Sequence, residues 1–434
     1  MLLVMMLLLA VGVIMTFCTR FVQVRKLGAS IRMVWDSLRH PTEGVSSFQA
    51  VCTALAATVG TGNIAGVAGA IALGGPGAVF WMWVSAFLGM ATKYAEVVLA
   101  LRYRRTDKQG NRLGGPMYYI EDGLHSKLLA WVFALFALLA SLGMGNMAQV
   151  NTIVSAVTDA VPKVRPQSAA FVTGLLAAVL VALVTMGGAR RIGAVMERLI
   201  PVVAALYIVG ALAVLAAHWQ QLGTALAAVL EGAFSPEAIR GGSVWLAVRW
   251  GVSRGVFSNE AGLGSAPIAH AAAEAEPEEQ GLMGIFEVFL DTIVLCTLTA
   301  LAILVSGVPV PYGQTAGAPL ATAALETVFG SWAAGSMALC LALLALATLM
   351  SWQLYGARCA AYLFGENGER VYRFVYLGMI LAGAVMKLDV VWAFSDLCNG
   401  LMALPNLAAL LYLRKEIKKP PLEGRWHDGV VTER

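Results

Sequence analysis

Long apolar runs alternate with short polar connectors along the whole chain, and eleven of the runs are long enough to cross a bilayer as helices. They cover about residues Leu2–Arg20, Ser46–Leu73, Ala78–Tyr103, Leu128–Val161, Ser168–Met186, Arg190–His218, Gly242–His270, Gly284–Ser306, Phe329–Leu363, Val371–Met386 and Val390–Leu413. The pattern predicts an all-α polytopic membrane protein with eleven transmembrane helices.

Composition agrees with this class, since 59% of the residues are hydrophobic, 13% are charged and the mean hydropathy is +0.74. The six cysteines are scattered singly, which predicts neither a metal site nor a disulfide framework. The first apolar run has no basic segment before it and no small-residue cleavage site, so we expect a retained helix rather than a signal peptide.

Basic residues predict the orientation of the chain, because they concentrate in cytoplasmic connectors. Connectors on one side hold Arg25, Lys26, Arg32, Arg39, Arg102, Arg104, Arg105, Lys108, Arg112, Arg190, Arg191, Arg370, Arg373, Arg414, Lys415, Lys418 and Lys419. That side is therefore predicted to be cytoplasmic. The N-terminus is then outside and the C-terminus inside the cell.

A polar interruption lies in the middle of the second apolar run. The six residues Thr58-Val59-Gly60-Thr61-Gly62-Asn63 contain two glycines, two hydroxyls and an amide. Irregular backbone at membrane depth survives only against protein or a wet cavity. A half-helix that starts after such a break directs unpaired N–H groups and partial positive charge into the gap. The interruption predicts a binding site for a small anionic group.

The run Gly242–His270 is also interrupted, between Trp250 and Gly262. Counted from the second run, the two interrupted runs are first and sixth of ten. Interruptions in corresponding positions of two halves are typical of inverted-repeat transporters with a site near the midplane. The alternative is that the glycine pairs in these runs only allow close helix packing.

Two short motifs suggest other functions. Gly60–Ala65 matches a dinucleotide fingerprint, and Gly251–Gly255 matches the nucleophile elbow of serine hydrolases. Both motifs require a strand before the turn, whereas these lie inside predicted membrane helices. An intramembrane serine hydrolase using Ser253 stays an alternative, but His270 is predicted too far away to act as its base.

At these residues the chain resembles the alanine or glycine:cation symporter family, the bacterial sodium:alanine symporters. The matching segments are Ala54–Ile71, Gly74–Trp83, Gly89–Glu96, Gly114–Ile120, Gly251–Pro267 and Phe394–Leu407. The resemblance implies a leucine-transporter-type fold: an extra helix (1–24), inverted repeats of five helices each (45–218 and 219–413) and a cytoplasmic tail (414–434). One departure is the stretch Gln353–Arg358, which lacks the glutamate that this family usually has before the arginine.

A zwitterionic amino acid needs donors for its carboxylate and acceptors for its ammonium group. The backbone amides of Thr61 and Gly62 suit the carboxylate, and Asn63 stands beside them. We expect unwound carbonyls to accept from the ammonium group, and two aromatics to wall a small pocket. The remaining predicted substrate-binding residues are Gln149, Val256, Phe257, Ser258 and Trp352.

Sodium requires hard oxygen ligands. The carbonyls of Ala56 and Val59, with the hydroxyls of Thr348 and Ser351, form one predicted sodium site. Hydroxyls in membrane helices often bond only their own i−4 carbonyl. Asn63 and the Thr58 carbonyl form a second predicted position.

Charged residues inside membrane segments are treated as functional. Lys93 and Glu96 lie one turn apart and are predicted to pair with each other. Arg254 and Glu260 flank the second interruption, where a gate or an internal pair is expected. Asp291 and Asp396 have no predicted role.

The predicted function is sodium-coupled import of a small neutral amino acid of the alanine, glycine or serine class by alternating access. The coupling ion is sodium, no other cofactor is expected, and the sequence predicts no oligomeric state. A proton-coupled permease of the same fold, with Glu260 carrying the proton, is the nearest alternative. A passive channel is another.

Overall fold

The computed structural model describes residues 2–39, 44–107, 110–160, 166–235, 243–386 and 389–418. The α-helices are α1 Leu2–Cys18, α2 Val22–Arg25, α3 Leu27–Arg39, α4 Ser47–Thr58, α5 Val67–Gly74, α6 Gly77–Arg102, α7 Pro116–Gly123, α8 Lys127–Leu142, α9 Ala148–Ala160, α10 Pro166–Thr185, α11 Gly188–Ala217, α12 Leu222–Phe234, α13 Ser243–Asn259, α14 Pro267–His270, α15 Pro277–Val288, α16 Thr297–Val305, α17 Ala318–Phe329, α18 Trp332–Val385 and α19 Asp389–Leu413.

Shorter elements join the helices. Strands β1 (Arg105–Thr106) and β2 (Arg112–Leu113) form an antiparallel hairpin. The π-helical stretches are Gly62–Gly66, Gly143–Met147 and Phe289–Cys296, and 3₁₀ turns lie at Trp219–Gln221 and Glu416–Lys418.

Among the described residues, six helices are long and apolar enough to cross a membrane, and the bent pair α4–α5 adds a seventh. The protein is therefore a multi-pass membrane protein. The predicted ninth and tenth spans form one helical stretch, α18, that is kinked where Gly365 adopts a φ of 72°. The total of eleven spans and the inverted repeat stay predictions, and most of the predicted tail lies outside the described residues.

The helices pack in two groups. In one, α6 lies along both α13 and α15, and α5 packs against α13. In the other, α18 lies along α8, α9 and α10. The first broken helix touches both groups, because α4 contacts α11 and α18 while α5 contacts α13 and α16. A site at its break is therefore bordered by both groups.

The second interruption lies later than the sequence predicted. Helix α13 runs without a break from Ser243 to Asn259, and the irregular backbone follows it. A Cβ atom at Gly251 would lie 2.2 Å from the Ala78 carbonyl oxygen, and one at Gly255 would lie 2.3 Å from Ser85 Oγ. These two glycines therefore allow α13 to pack closely on α6. For them, the alternative that glycine serves helix packing is confirmed.

Candidate functional site

The first break is built by local hydrogen bonds. Helix α4 starts with a capping box, in which Gln49 N donates to Ser46 Oγ and Ser46 N donates to Gln49 Oε1. It ends at Thr58, after which Val59 is extended with φ −74° and ψ 104°. The chain then turns by 51° into the segment that starts at Gly62. The predicted interruption is confirmed at these residues.

Asn63 holds this turn together. Its Oδ1 accepts from Gly60 N at 2.9 Å, and its own backbone N–H donates to the Gly60 carbonyl at 3.3 Å. The amides of Thr61 and Gly62 therefore lie at the start of a helical segment, where no preceding turn supplies acceptors. Such a helix start favours an anionic group.

Asp291 connects the two broken helices. Its carboxylate accepts from Asn63 Nδ2 at 2.7 Å and from Ser258 Oγ at 2.8 Å. Thr292 Oγ1 also donates to it, at 2.8 Å, and Asp291 is fully buried. A carboxylate with three donors is solvated by protein dipoles, which lowers the free-energy cost of burying its charge. Sequence reasoning left Asp291 without a role; the signal was an acidic residue inside an apolar run.

The second break starts directly after Asn259. Glu260 has a φ of 53°, and Gly262 and Gly264 have φ values of 89° and 85°. The Ala261 amide donates to Asn259 Oδ1, and the Gly262 amide donates to Glu96 Oε2, so neither continues the helix. The chain becomes helical again at Pro267.

The predicted unwinding at Val256, Phe257 and Ser258 is wrong. These residues form the last turn of α13, and the Val256 carbonyl accepts from Glu260 N. Ser258 nevertheless lies at the first break, because a Cβ atom at Gly62 would be 3.5 Å from Ser258 Cα. Phe257 is half-buried, and the Arg254 guanidinium lies over its ring at 5.9 Å. The first break therefore adjoins the last turn of α13, just before the second break.

Several buried polar atoms near the breaks have no hydrogen-bond partner in the described part of the chain. They are Gln149 Oε1, Glu260 Oε1, Ser351 Oγ, Trp352 Nε1, Tyr355 Oη and Asn399 Oδ1. Buried polar groups in folded proteins are almost always paired, so such atoms call for a ligand, an ion or water. Only some of these residues were predicted from the sequence.

Met144 contacts two of these residues, Gln149 and Asn399. Its carbonyl accepts from Gln149 Nε2 at 3.1 Å, and its sulfur lies 2.9 Å from Asn399 Nδ2. Trp352 packs so tightly on Gly145 that a Cβ atom there would lie 2.4 Å from the indole. The structure thus brings the predicted residues Gln149 and Trp352 to the same turn of π-helix.

Two residues of the first predicted sodium site, Ala56 and Thr348, are in contact. Thr348 Oγ1 is 2.9 Å from the Ala56 carbonyl and 3.0 Å from that of Leu344, one turn earlier in its own helix. Ser351 is fully buried one turn further along. Val59 lies at the end of α4, where its amide donates to the Leu55 carbonyl. Carbonyl and hydroxyl oxygens of this kind suit sodium.

The predicted pair of Lys93 and Glu96 is wrong. Lys93 Nζ instead contacts Glu287 Oε1 at 3.2 Å, and His270 Nε2 contacts Glu287 Oε2 at 2.9 Å. Glu96 turns toward Asn406 and the Gly262 amide. Glu96 accepts a hydrogen bond from the Gly262 amide in the second break, and Lys93 pairs with Glu287 of helix α15 instead.

Three charged residues singled out in the sequence remain: Arg254, Glu260 and Asp396. Glu260 Oε2 accepts from the Ser265 hydroxyl. Arg254 lies over the Trp250 ring at 5.5 Å. The Asp396 side chain is outside the described residues.

Comparison with known proteins identifies the family. The model of the sodium:alanine symporter family matches residues 1–421. The chain belongs to this family. Members are transporters rather than enzymes, of the class of amino-acid and cation symporters. The resemblance inferred from the sequence motifs is confirmed.

Relatives of known name cover nearly the whole chain. The sodium/alanine symporter AgcS of Methanococcus maripaludis is 43% identical over 418 residues, which cover 94% of this chain and 90% of the relative. The probable sodium/glutamine symporter GlnT of Bacillus subtilis is 40% identical over 96% of this chain and 86% of the relative. A putative sodium/proton-dependent alanine carrier of Bacillus subtilis is 36% identical.

Solved structures share the fold. MhsT in complex with L-phenylalanine has a TM-score of 0.62 at 14% sequence identity, covering 86% of this chain and 90% of that chain. The protein thus has neighbours of the leucine-transporter-type fold.

Proposed function

We propose that this symporter imports a small neutral amino acid of the alanine, glycine or serine class together with sodium, by alternating access across a bacterial cytoplasmic membrane. The observation that carries the proposal is Asp291, which accepts from Asn63 at the first break and from Ser258 beside the second. A negative charge shared by two adjoining helix breaks is suited to bind a cation. The name of the sodium/alanine symporter among the relatives also supports it, and that of the probable sodium/glutamine symporter supports the coupling to sodium.

The amino acid would bind between the two breaks. Its carboxylate would accept from the amides of Thr61 and Gly62 at the helix start. Its ammonium group would donate to Gln149 Oε1, which has no partner among the described residues, and to carbonyls in the last turn of α13. Phe257 and Trp352 would wall the side-chain pocket, which favours small side chains over large ones.

Sodium would bind at two positions. The first has the Ala56 and Val59 carbonyls with the hydroxyls of Thr348 and Ser351. The second combines Asn63 and the Thr58 carbonyl with a residue that the sequence did not suggest, Asp291. The inward sodium gradient and the membrane potential, worth about 2.3 kcal/mol per charge per 100 mV, would drive uptake.

Uptake of labelled alanine into proteoliposomes tests the proposal. We expect accumulation above equilibrium with an inward sodium gradient, and none when potassium replaces sodium. An unlabelled competitor series of alanine, glycine, serine and leucine would rank the substrates. Uptake that is indifferent to sodium would refute the coupling, and uptake that never exceeds equilibrium would indicate a passive channel.

Proton coupling is the second candidate, and Glu260 favours it. Glu260 is fully buried, receives a hydroxyl donor from Ser265, and its Oε1 has no partner within the described ranges. Burying a carboxylate with a single donor costs more free energy than burying the protonated acid. Uptake driven by a pH gradient without sodium, and abolished in Glu260→Gln, would support this candidate instead.

A further inference from the structure

A large cavity lies apart from the proposed substrate site. Its volume is about 1120 Å³, and it is lined by the hairpin β1–β2, helices α7 and α8, the turn before α11 and the part of α18 around Gly365. None of the residues proposed to bind the amino acid or sodium lines it. It lies on the side of the protein that the basic connectors predict to be cytoplasmic.

Basic side chains outnumber acidic ones in the described lining. The basic residues are Arg105, Lys127, Arg190, Arg358, Arg370 and Arg373, and the acidic ones are Asp107, Glu121, Glu366 and Glu369. Three of the acids are already engaged, and one of them, Asp107, accepts from the backbone and side-chain amides of Asn111. Glu121 accepts from Arg105 at 3.2 Å and from the Tyr362 hydroxyl at 2.9 Å, and Glu369 pairs with Arg373 at 2.5 Å.

Three arginines remain without an ion pair to any residue that the structure describes: Arg190, Arg358 and Arg370. Arg358 is half-buried, although an unpaired guanidinium loses hydration when it is buried. It lies near Tyr118: burial raises the pKa of the Tyr118 phenol to about 12, and the Arg358 charge opposes that rise. An anion in the cavity would compensate Arg358.

We propose that this cavity binds an organic phosphate. Guanidinium groups match phosphate oxygens with paired donors, which makes arginine the preferred residue for phosphate recognition. A volume of about 1120 Å³ leaves room for an organic group beyond the phosphate, and Tyr118, Trp131 and Tyr362 supply aromatic surface for it. The phosphate would link Arg190, at the start of α11, to Arg358 in α18 and thereby stabilise the fold.

The phosphate could come from an anionic lipid headgroup or from a soluble phosphate ester, and thermal unfolding of the purified full-length protein in detergent separates the two. The probes are phosphatidylglycerol, phosphatidylcholine and glycerol 3-phosphate. The test variant is Arg190→Gln combined with Arg358→Gln. The control is Arg198→Gln, which removes an exposed charge on α11 outside the cavity. Arg370→Gln, an exposed position, serves if the double variant does not fold.

We expect an anionic probe to raise the Tm of the wild-type protein, with phosphatidylcholine inactive. Removing each arginine should weaken binding on the order of tenfold, which corresponds to about 1.4 kcal/mol of lost binding free energy. A shift with phosphatidylglycerol alone identifies a lipid, and one with glycerol 3-phosphate identifies a soluble ester. The proposal is overturned if neither probe shifts Tm, or if the cavity variants respond as Arg198→Gln does.

Discussion

Asn63 donates its side-chain amide to Asp291 at 2.7 Å, and this bond ties the turn between α4 and α5 to the π-helical stretch Phe289–Cys296. The same Asn63 nitrogen lies 2.9 Å from the Asp291 carbonyl, so it meets both the side chain and the backbone. Any movement of the first break relative to this stretch must change these contacts. Under the proposed function, a cation or an amino acid bound at the first break would act on these contacts.

Asp291→Asn removes the charge but keeps the size of the side chain. If the carboxylate attracts sodium, the sodium concentration for half-maximal alanine uptake should rise on the order of tenfold, as expected for losing one charged interaction. The affinity for alanine at saturating sodium should change less. Uptake as a function of sodium concentration measures both.

Glu231→Gln is the matched control for Asp291→Asn, because it neutralises an exposed acid on α12. It should leave the sodium dependence unchanged. An unaltered sodium dependence in Asp291→Asn would remove Asp291 from the cation site.

Ser351→Ala tests the first sodium position. The Ser351 hydroxyl is buried and has no partner in the described chain, so its removal should cost little folding free energy. Loss of a sodium ligand should nevertheless weaken sodium-dependent uptake several-fold. Ser336→Ala on the same helix is the control, since that hydroxyl bonds the Ala333 carbonyl and is exposed. Equal sodium affinity in both variants would exclude Ser351 as a ligand.

The sequence was informative about the first break because its signal is local. Gly60, Gly62 and the polar residues around them interrupt an apolar run, and the structure bends there. The same reasoning misplaced the second break. Glycine both permits irregular backbone and permits close packing, and Gly251 and Gly255 serve packing against α6. The better signal was Glu260 followed by Gly262 and Gly264, which take positive φ values.

Contacts between side chains that are distant in the sequence could not be predicted from it. Lys93 and Glu96 have helical spacing for a pair, but which of two carboxylates a lysine meets depends on how α15 packs on α6. Asp291 was recognisable as an unusual acid, yet its contacts with Asn63 and Ser258 depend on the meeting of three helices. The family and the positions of most helices followed from sequence motifs and apolar runs.

The buried pair of Lys93 and Glu287 should show strong thermodynamic coupling. Both side chains are fully buried, so Lys93→Met alone removes the lysine charge from beside a buried carboxylate and leaves it in contact with the His270 ring. We expect a loss of about 3–5 kcal/mol, the usual cost of breaking a buried ion pair. Lys93→Met combined with Glu287→Gln should be more stable than Lys93→Met alone.

Thermal unfolding of the purified variants measures this coupling. If the losses from Lys93→Met and Glu287→Gln simply add in the double variant, the two residues do not depend on each other. Arg373→Met provides a comparison, because its pair with Glu369 is partly exposed and should contribute less than about 1 kcal/mol.

Gly251→Ala tests whether this glycine serves helix packing. The added Cβ atom would lie 2.2 Å from the Ala78 carbonyl oxygen, which belongs to the backbone and cannot rotate away. Helices α13 and α6 would have to separate, at a cost of about 1–3 kcal/mol or more.

Gly378→Ala is the matched control: it lies in α18, is exposed, and has nothing within 4 Å of the added atom. It should be neutral or stabilising by up to about 1 kcal/mol, because alanine favours helix more than glycine does. The Tm should therefore fall in Gly251→Ala and stay unchanged or rise in Gly378→Ala. An unchanged Tm in Gly251→Ala would show that α13 and α6 pack less closely than the structure describes.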